Sequence, residues 1–220
     1  MLLRVLVLMF VMVANTQAMP DRDYQFRVLL NGDPIGSHVF DFTPEGSGYR
    51  LISTANYRVK VFFIPVYHYA HRSEELWLDG CLQRIESKTN DNDTQYQVTG
   101  NQQAEAFNVQ VNSEPASHPG ACISTFAYWQ PGLLESDQLM NSQTGTMEEI
   151  GYSKLEPSTP PWEDSQQAET IQLDTEQGKI ILWYREGLWL GLRTVLKNGH
   201  ELVYQPVSQG LATDQTISAQ

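Results

Sequence analysis

Residues 180–204, IILWYREGLWLGLRTVLKNGHELVY, hold three apolar runs separated by two turn signals. Runs 180–185, 188–196 and 201–204 are each long enough for a strand and too short for a helix. They are rich in Ile, Leu, Val, Trp and Tyr. Glu186-Gly187 and Asn198-Gly199 punctuate them. Asn-Gly is the preferred pair for a type I′ hairpin, because both residues tolerate positive φ. The reading is a three-stranded antiparallel meander.

The same grammar extends toward the N-terminus. Residues 24–30 and 35–42 flank Asn31-Gly32-Asp33-Pro34 and form a hairpin. A strand at 49–61 follows Gly46-Ser47-Gly48, and an aromatic-rich strand covers 62–72. Asp79-Gly80 separates 74–78 from 82–88. After the loop at 90–93, polar-alternating strands cover 96–99 and 107–111. Only 122–141 lacks strand character. Phe126, Trp129, Leu133 and Leu134 approach helical spacing there, and Pro131-Gly132 breaks it. One or two short helical turns are expected near 123–137. Pro157, Pro160 and Pro161 mark a loop, and 208–220 reads as a flexible C-terminal tail. About ten strands with tight turns imply an all-β, antiparallel domain over 19–207, a strongly curved sheet or open β-barrel.

The first eighteen residues, MLLRVLVLMFVMVANTQA, follow a different rule. Arg4 precedes an apolar run, and Thr16 and Ala18 are small residues placed for cleavage after Ala18. This is the pattern of a secretory signal peptide, and the run is shorter than the ~20 residues of a membrane span. The expectation is an exported, periplasmic protein with no transmembrane span after cleavage. In an oxidising compartment Cys81 and Cys122, the only cysteines, favour a disulfide over two buried thiols.

Composition narrows function. Of 220 residues, 26 are Asp or Glu and 14 Lys or Arg, a formal charge of −12. Such a balance argues against binding nucleic acid and against docking on an anionic membrane surface. No Gly-rich phosphate loop joins a strand to a helix, so no nucleotide cofactor is implied. His68 and His71 have the spacing of a metal pair on a helix, but on a strand they face opposite ways, and no metal site is expected. Gly151-Tyr152-Ser153 begins like a nucleophile elbow and lacks the closing Gly, so no catalytic residue is assigned.

The segment Phe62-Phe63-Ile64-Pro65-Val66-Tyr67-His68-Tyr69 is apolar on both faces. Such a strand is either sandwiched in a core or faces a ligand cavity. Continued straight, it puts Tyr67, Tyr69, His71, Glu75 and Trp77 on one face, the candidate binding residues for a lipid or other apolar ligand. Two further possibilities stand beside this one. One is an interaction protein that pairs through an edge strand or the 157–167 loop. The other is a hydrolase-like enzyme built around His71 and Glu75 or the loop carboxylates, with a site not readable from sequence.

Several stretches carry a resemblance. They are Tyr57-Arg58-Val59-Lys60-Val61-Phe62-Phe63-Ile64-Pro65-Val66-Tyr67, His71-Arg72, Glu75, Trp77, Asp79-Gly80 and Ser87-Lys88-Thr89-Asn90-Asp91. With the opening Asn31-Gly32 and Ile35-Gly36, Tyr128-Trp129 and the closing meander, they resemble a family of exported proteobacterial proteins known only as a domain of unknown function. The resemblance implies an all-β, exported protein and supplies no activity or catalytic residue. The opening also resembles broader exported β proteins, similar in general shape to the open barrels of lipoprotein carriers.

Overall fold

A computed structural model describes residues 19–61 and 63–207. The expected signal peptide and C-terminal tail lie outside the described residues. The strands are β1 Tyr24–Leu30, β2 Asp33–Glu45, β3 Gly48–Val61, β4 Ile64–Leu78, β5 Cys81–Asp91, β6 Thr94–Gln103, β7 Ala106–Val111 and β8 Glu114–Pro119. After these come β9 Gln138–Met140, β10 Met147–Glu149, β11 Gly151–Ser158, β12 Ala168–Thr175, β13 Gly178–Arg185, β14 Leu188–Val195 and β15 Glu201–Pro206. Among the described residues there is no α-helix, and one 3-10 turn covers Pro131–Glu135. The all-β expectation holds.

Thirteen strands form one antiparallel sheet in the order β11-β12-β13-β14-β15-β1-β2-β3-β4-β5-β6-β7-β8. Every neighbour but one is also the neighbour in sequence. The exception, β15 beside β1, brings the closing meander against the opening hairpin, with Val28 opposite Tyr204. The sheet is not closed into a barrel. It is nevertheless curved enough that residues of the β12–β13 turn and of β4 and β5, far apart in strand order, wall one cavity.

Turn chemistry explains the meander. Asn31-Gly32, Asp79-Gly80, Asn92-Asp93, Asn112-Ser113 and Glu186-Gly187 all have positive φ at both positions, the conformation that matches strand twist in two-residue hairpins. The Asn198-Gly199 connection differs from the type I′ expectation. Leu196 bonds the His200 carbonyl across a three-residue loop, and only Gly199 is left-handed.

The inner face of the sheet is covered by the chain from β8 to β11. This crossing segment contains the 3-10 turn and the β9–β10 hairpin. Its main chain is pinned where the Leu82 N–H donates to the Ile123 carbonyl. Ile123, Ala127, Trp129, Leu134, Leu139 and Met140 are buried against the sheet. Trp129 sits edge-on to Trp77, with ring centroids 5.9 Å apart, and its indole N–H donates to the Tyr49 hydroxyl at 3.1 Å. Gly145 is left-handed (φ +70), and a Cβ there would meet Val111 Cγ2 at 2.7 Å. Only glycine fits that close approach.

The apolar segment starting at residue 62 is not sandwiched in the core. It forms the end of the β3–β4 hairpin, where Val61 pairs with Ile64. Phe63, Ile64 and Val66 are 96%, 66% and 50% exposed. Burial begins only farther along β4, because the crossing segment covers that part of the sheet.

Candidate functional site

Strand β4 sets the geometry of the site. Its alternation turns Tyr67, Tyr69, His71, Ser73, Glu75 and Trp77 to the inner face, as the sequence predicts. Burial deepens along the strand, from half-buried tyrosines to fully buried Trp77. Register with β3 sets Tyr57, Ala55, Ser53 and Leu51 opposite Tyr69, His71, Ser73 and Glu75.

Two adjoining spaces lie over this face. The outer one is a half-open cavity of about 1100 Å³, walled by Ile35, Tyr57, Val59, Tyr67, Tyr69, Met147 and Leu202. Asp91, Glu148, Glu176, Lys197 and His200 add polar groups to its wall. The inner one is a chamber of about 260 Å³ bounded by His38, Ser53, His71, Ser73, Glu75 and Thr125. Tyr69, Asn141, Gln143, Glu148 and Gln177 belong to both walls, so the spaces adjoin.

The tyrosines are positioned by polar tips and stacked rings. Tyr67 donates to Asp91 Oδ1 at 2.7 Å, and Tyr69 to Gln143 Oε1 at 3.0 Å. Tyr69 stacks on Tyr57 with centroids 5.1 Å apart, and the Tyr57 and Tyr204 hydroxyls share a hydrogen bond. Burial holds the phenol pKa values of Tyr57, Tyr67 and Tyr69 above their ordinary value, so these hydroxyls stay neutral.

Burial shifts both histidines of the chamber and Glu75 toward their neutral forms. Burial pushes His38 down to about 3, with a smaller contribution from His71, and pushes His71 down to about 4. Both imidazoles are therefore neutral near pH 7. Burial raises Glu75 to about 7 against three donors, Ser73, Trp77 and Thr125, at 3.2, 2.9 and 3.2 Å. His71 Nδ1 is held by Thr89 Oγ1 at 2.8 Å.

Ser53 and His38, like Thr89 and His71, set a hydroxyl against an imidazole in the manner of a nucleophile and its base, with Ser53 Oγ 2.7 Å from His38 Nε2. The other ring nitrogen faces the Tyr204 phenol at 3.2 Å, where a hydrolase would place a carboxylate. A histidine held near 3 is a weak base at neutral pH. The pair therefore lacks both the orienting anion and the basicity of a catalytic dyad. Among the described residues, no cluster of His, Cys, Asp and Glu could hold a metal ion.

Of the five residues singled out from the sequence, Tyr67 and Tyr69 line the outer cavity, and Tyr69, His71 and Glu75 the chamber. Trp77 lines neither. It is a core residue whose indole N–H donates to Glu75. His38, Ser53, Tyr57 and Tyr204 complete the site and were not singled out. The same alternation that turns Phe40 inward also turns His38 inward, so that residue had a readable signal. The Cys81–Cys122 disulfide is formed, with Cα atoms 5.0 Å apart, and ties the β4–β5 turn to the start of the crossing segment.

Residues 26–207 match the family described as Domain of unknown function (DUF6134), and the chain belongs to it. No curated protein and no solved structure matches the chain.

Proposed function

We propose that this member of the family is an exported, periplasmic, non-catalytic protein that binds one amphipathic ligand. The ligand's apolar part fills the outer cavity, and a neutral hydrogen-bonding group points into the chamber. The observation that carries this reading is the pairing of the two spaces. An outer wall with tyrosine, leucine, isoleucine and methionine adjoins a chamber in which aromatic rings surround the polar groups of His38, Ser53, His71, Ser73, Glu75 and Thr125. The chamber disfavours an anionic group, because its neutral histidines offer no cation and Glu75 and Glu148 oppose one. Export is supported by the leader-like N-terminus and by the formed disulfide.

The interaction-protein alternative is weakened by the sheet edges. Edge strand β8 carries Pro115 and Pro119, and edge strand β11 carries Pro157, residues that cannot donate to an added strand. The 157–167 loop is itself engaged. Trp162 packs edge-on against Trp183, and Glu163 pairs with Arg185 at 2.7 Å.

Fluorescence titration with the neutral probe N-phenylnaphthylamine tests the proposal. Saturable enhancement, reversed by monooleoylglycerol and lost in both Ile35→Trp and Met147→Trp, is the expected result. These substitutions fill the outer cavity from two different elements. Equal enhancement in both filled variants would overturn the assignment of the site.

A further inference from the structure

The hairpin turns of this sheet put small or polar residues at positive φ, and the β3–β4 turn alone puts a large apolar one there. Positive φ is taken elsewhere by Asn, Asp, Ser, Gly, Ala or Glu. Between the paired residues Val61 and Ile64 the connection is instead Phe62-Phe63, and Phe63 has φ 70. A bulky aromatic residue is disfavoured in that conformation, and Gly or Asn would stabilise the turn. The side chain is 96% exposed, so packing within the chain does not explain it. Ile64 and Val66 extend the exposed apolar surface.

The charge around this tip is reversed relative to the rest of the molecule. Residues 46–73 contain Arg50, Arg58, Lys60 and Arg72 and no Asp or Glu, in a chain of net charge −12. Arg58 and Lys60, nearest the tip, are exposed and form no ion pair among the described residues. The nearest acids along the hairpin, Asp91 and Asp93, stand beside residues 68–69. Their backbone is about 15 Å back from the tip along the strand, level with Arg58 opposite His68, and the Asp91 carboxylate is taken up by the Tyr67 hydroxyl, so Lys60 and the apolar tip lie beyond these acids. The tip is also close to the site. Val59 and Tyr67, paired about 7 Å below it, already line the outer cavity.

We propose that the β3–β4 tip is a membrane wedge: Phe63, Ile64 and Val66 insert among the acyl chains of an anionic bilayer, Arg58 and Lys60 meet its headgroups, and the adjoining cavity takes its ligand from that bilayer. An apolar end flanked by cations is the surface chemistry of interfacial anchors. The choice of a bilayer over a protein partner rests on the charge reversal and on the distance to the cavity. The source of the ligand rests on the binding reading above; the wedge itself does not.

Vesicle flotation tests it, using equimolar phosphatidylcholine–phosphatidylglycerol vesicles and phosphatidylcholine alone. The wild-type chain floats with the mixed vesicles and much less with phosphatidylcholine. Phe63→Gly with Ile64→Thr and Val66→Ser lowers partitioning at least tenfold. Phe63→Gly also relieves the turn, which guards against misfolding. Arg58→Glu with Lys60→Glu removes the preference for the anionic vesicles. Uptake of N-phenylnaphthylamine in vesicle-free solution is unchanged in both variants. Equal flotation of the tip variant and wild type would overturn the wedge. So would a wild-type chain that does not float but forms a dimer abolished by the tip substitutions. Absent probe uptake with intact, tip-dependent flotation would refute the cavity reading and leave the wedge standing.

Discussion

His71 and Glu75 stand two pleats apart on β4 and titrate in opposite senses. Burial lowers His71 to about 4 from an ordinary 6.5. Between those values the unfolded chain binds a proton that the folded chain refuses, so the fold loses stability as pH falls through that window. Glu75 is raised to about 7 from 4.5, so the folded chain binds the extra proton and stability is lost as pH rises through that window. Each shift corresponds to about 3 kcal/mol over its full range. Urea denaturation across a pH series checks both. Relative to His71→Gln, the wild type weakens from pH 6.5 down to 4; relative to Glu75→Gln, it weakens from 4.5 up to 7. A pH-independent gap for either variant would refute its assignment. The inward placement of both residues was legible, because period-two alternation is a local rule. Their surroundings were not. His38 and Ser53 come from β2 and β3, and Thr125 from fifty residues beyond Glu75, contacts that only strand register and the crossing segment create.

Strands were legible where alternation is strong and faded where it is not. The opening hairpin and closing meander carry apolar residues on their inner faces and Gly-containing turns, and both formed. Strand β8, EPASHP, has almost no apolar signal because it is an exposed edge. Strand β12, AETIQLDT, turns Ile171 and Leu173 inward, but two apolar residues in a mostly polar run are too weak a local signal to mark a strand. The crossing segment shows no sustained period, since Pro131-Gly132 breaks the helical spacing that begins at Phe126. It packs through single residues, with Leu134 on the 3-10 turn, Trp129 before it and Gly145 after. Its anchorage is therefore the element most open to test. The Cys81–Cys122 disulfide closes a loop of 41 residues, for which chain entropy gives about 4 kcal/mol. Replacing both cysteines by Ala lowers unfolding stability by about that amount and makes it insensitive to reductant. A variant as stable as the oxidised wild type would show that the side-chain packing alone holds the segment.

At the scale of the molecule, two features of the sheet make the site. Pairing of β15 with β1 joins the two halves of the chain into one surface, and curvature brings β12–β13 opposite β4–β5. Neither is visible in any local stretch, because the pairing spans more than 170 residues and the curvature is a property of all the strands. The covering segment fills the middle of the concave face and leaves one end open beside the β3–β4 hairpin. On the binding reading proposed above, that open end is where the ligand enters. Native mass spectrometry after incubation with monooleoylglycerol tests this most directly. The account predicts a one-to-one adduct on the wild-type chain that is absent from Met147→Trp and Ile35→Trp. A bare wild-type chain, or an adduct equally abundant in both filled variants, would contradict it.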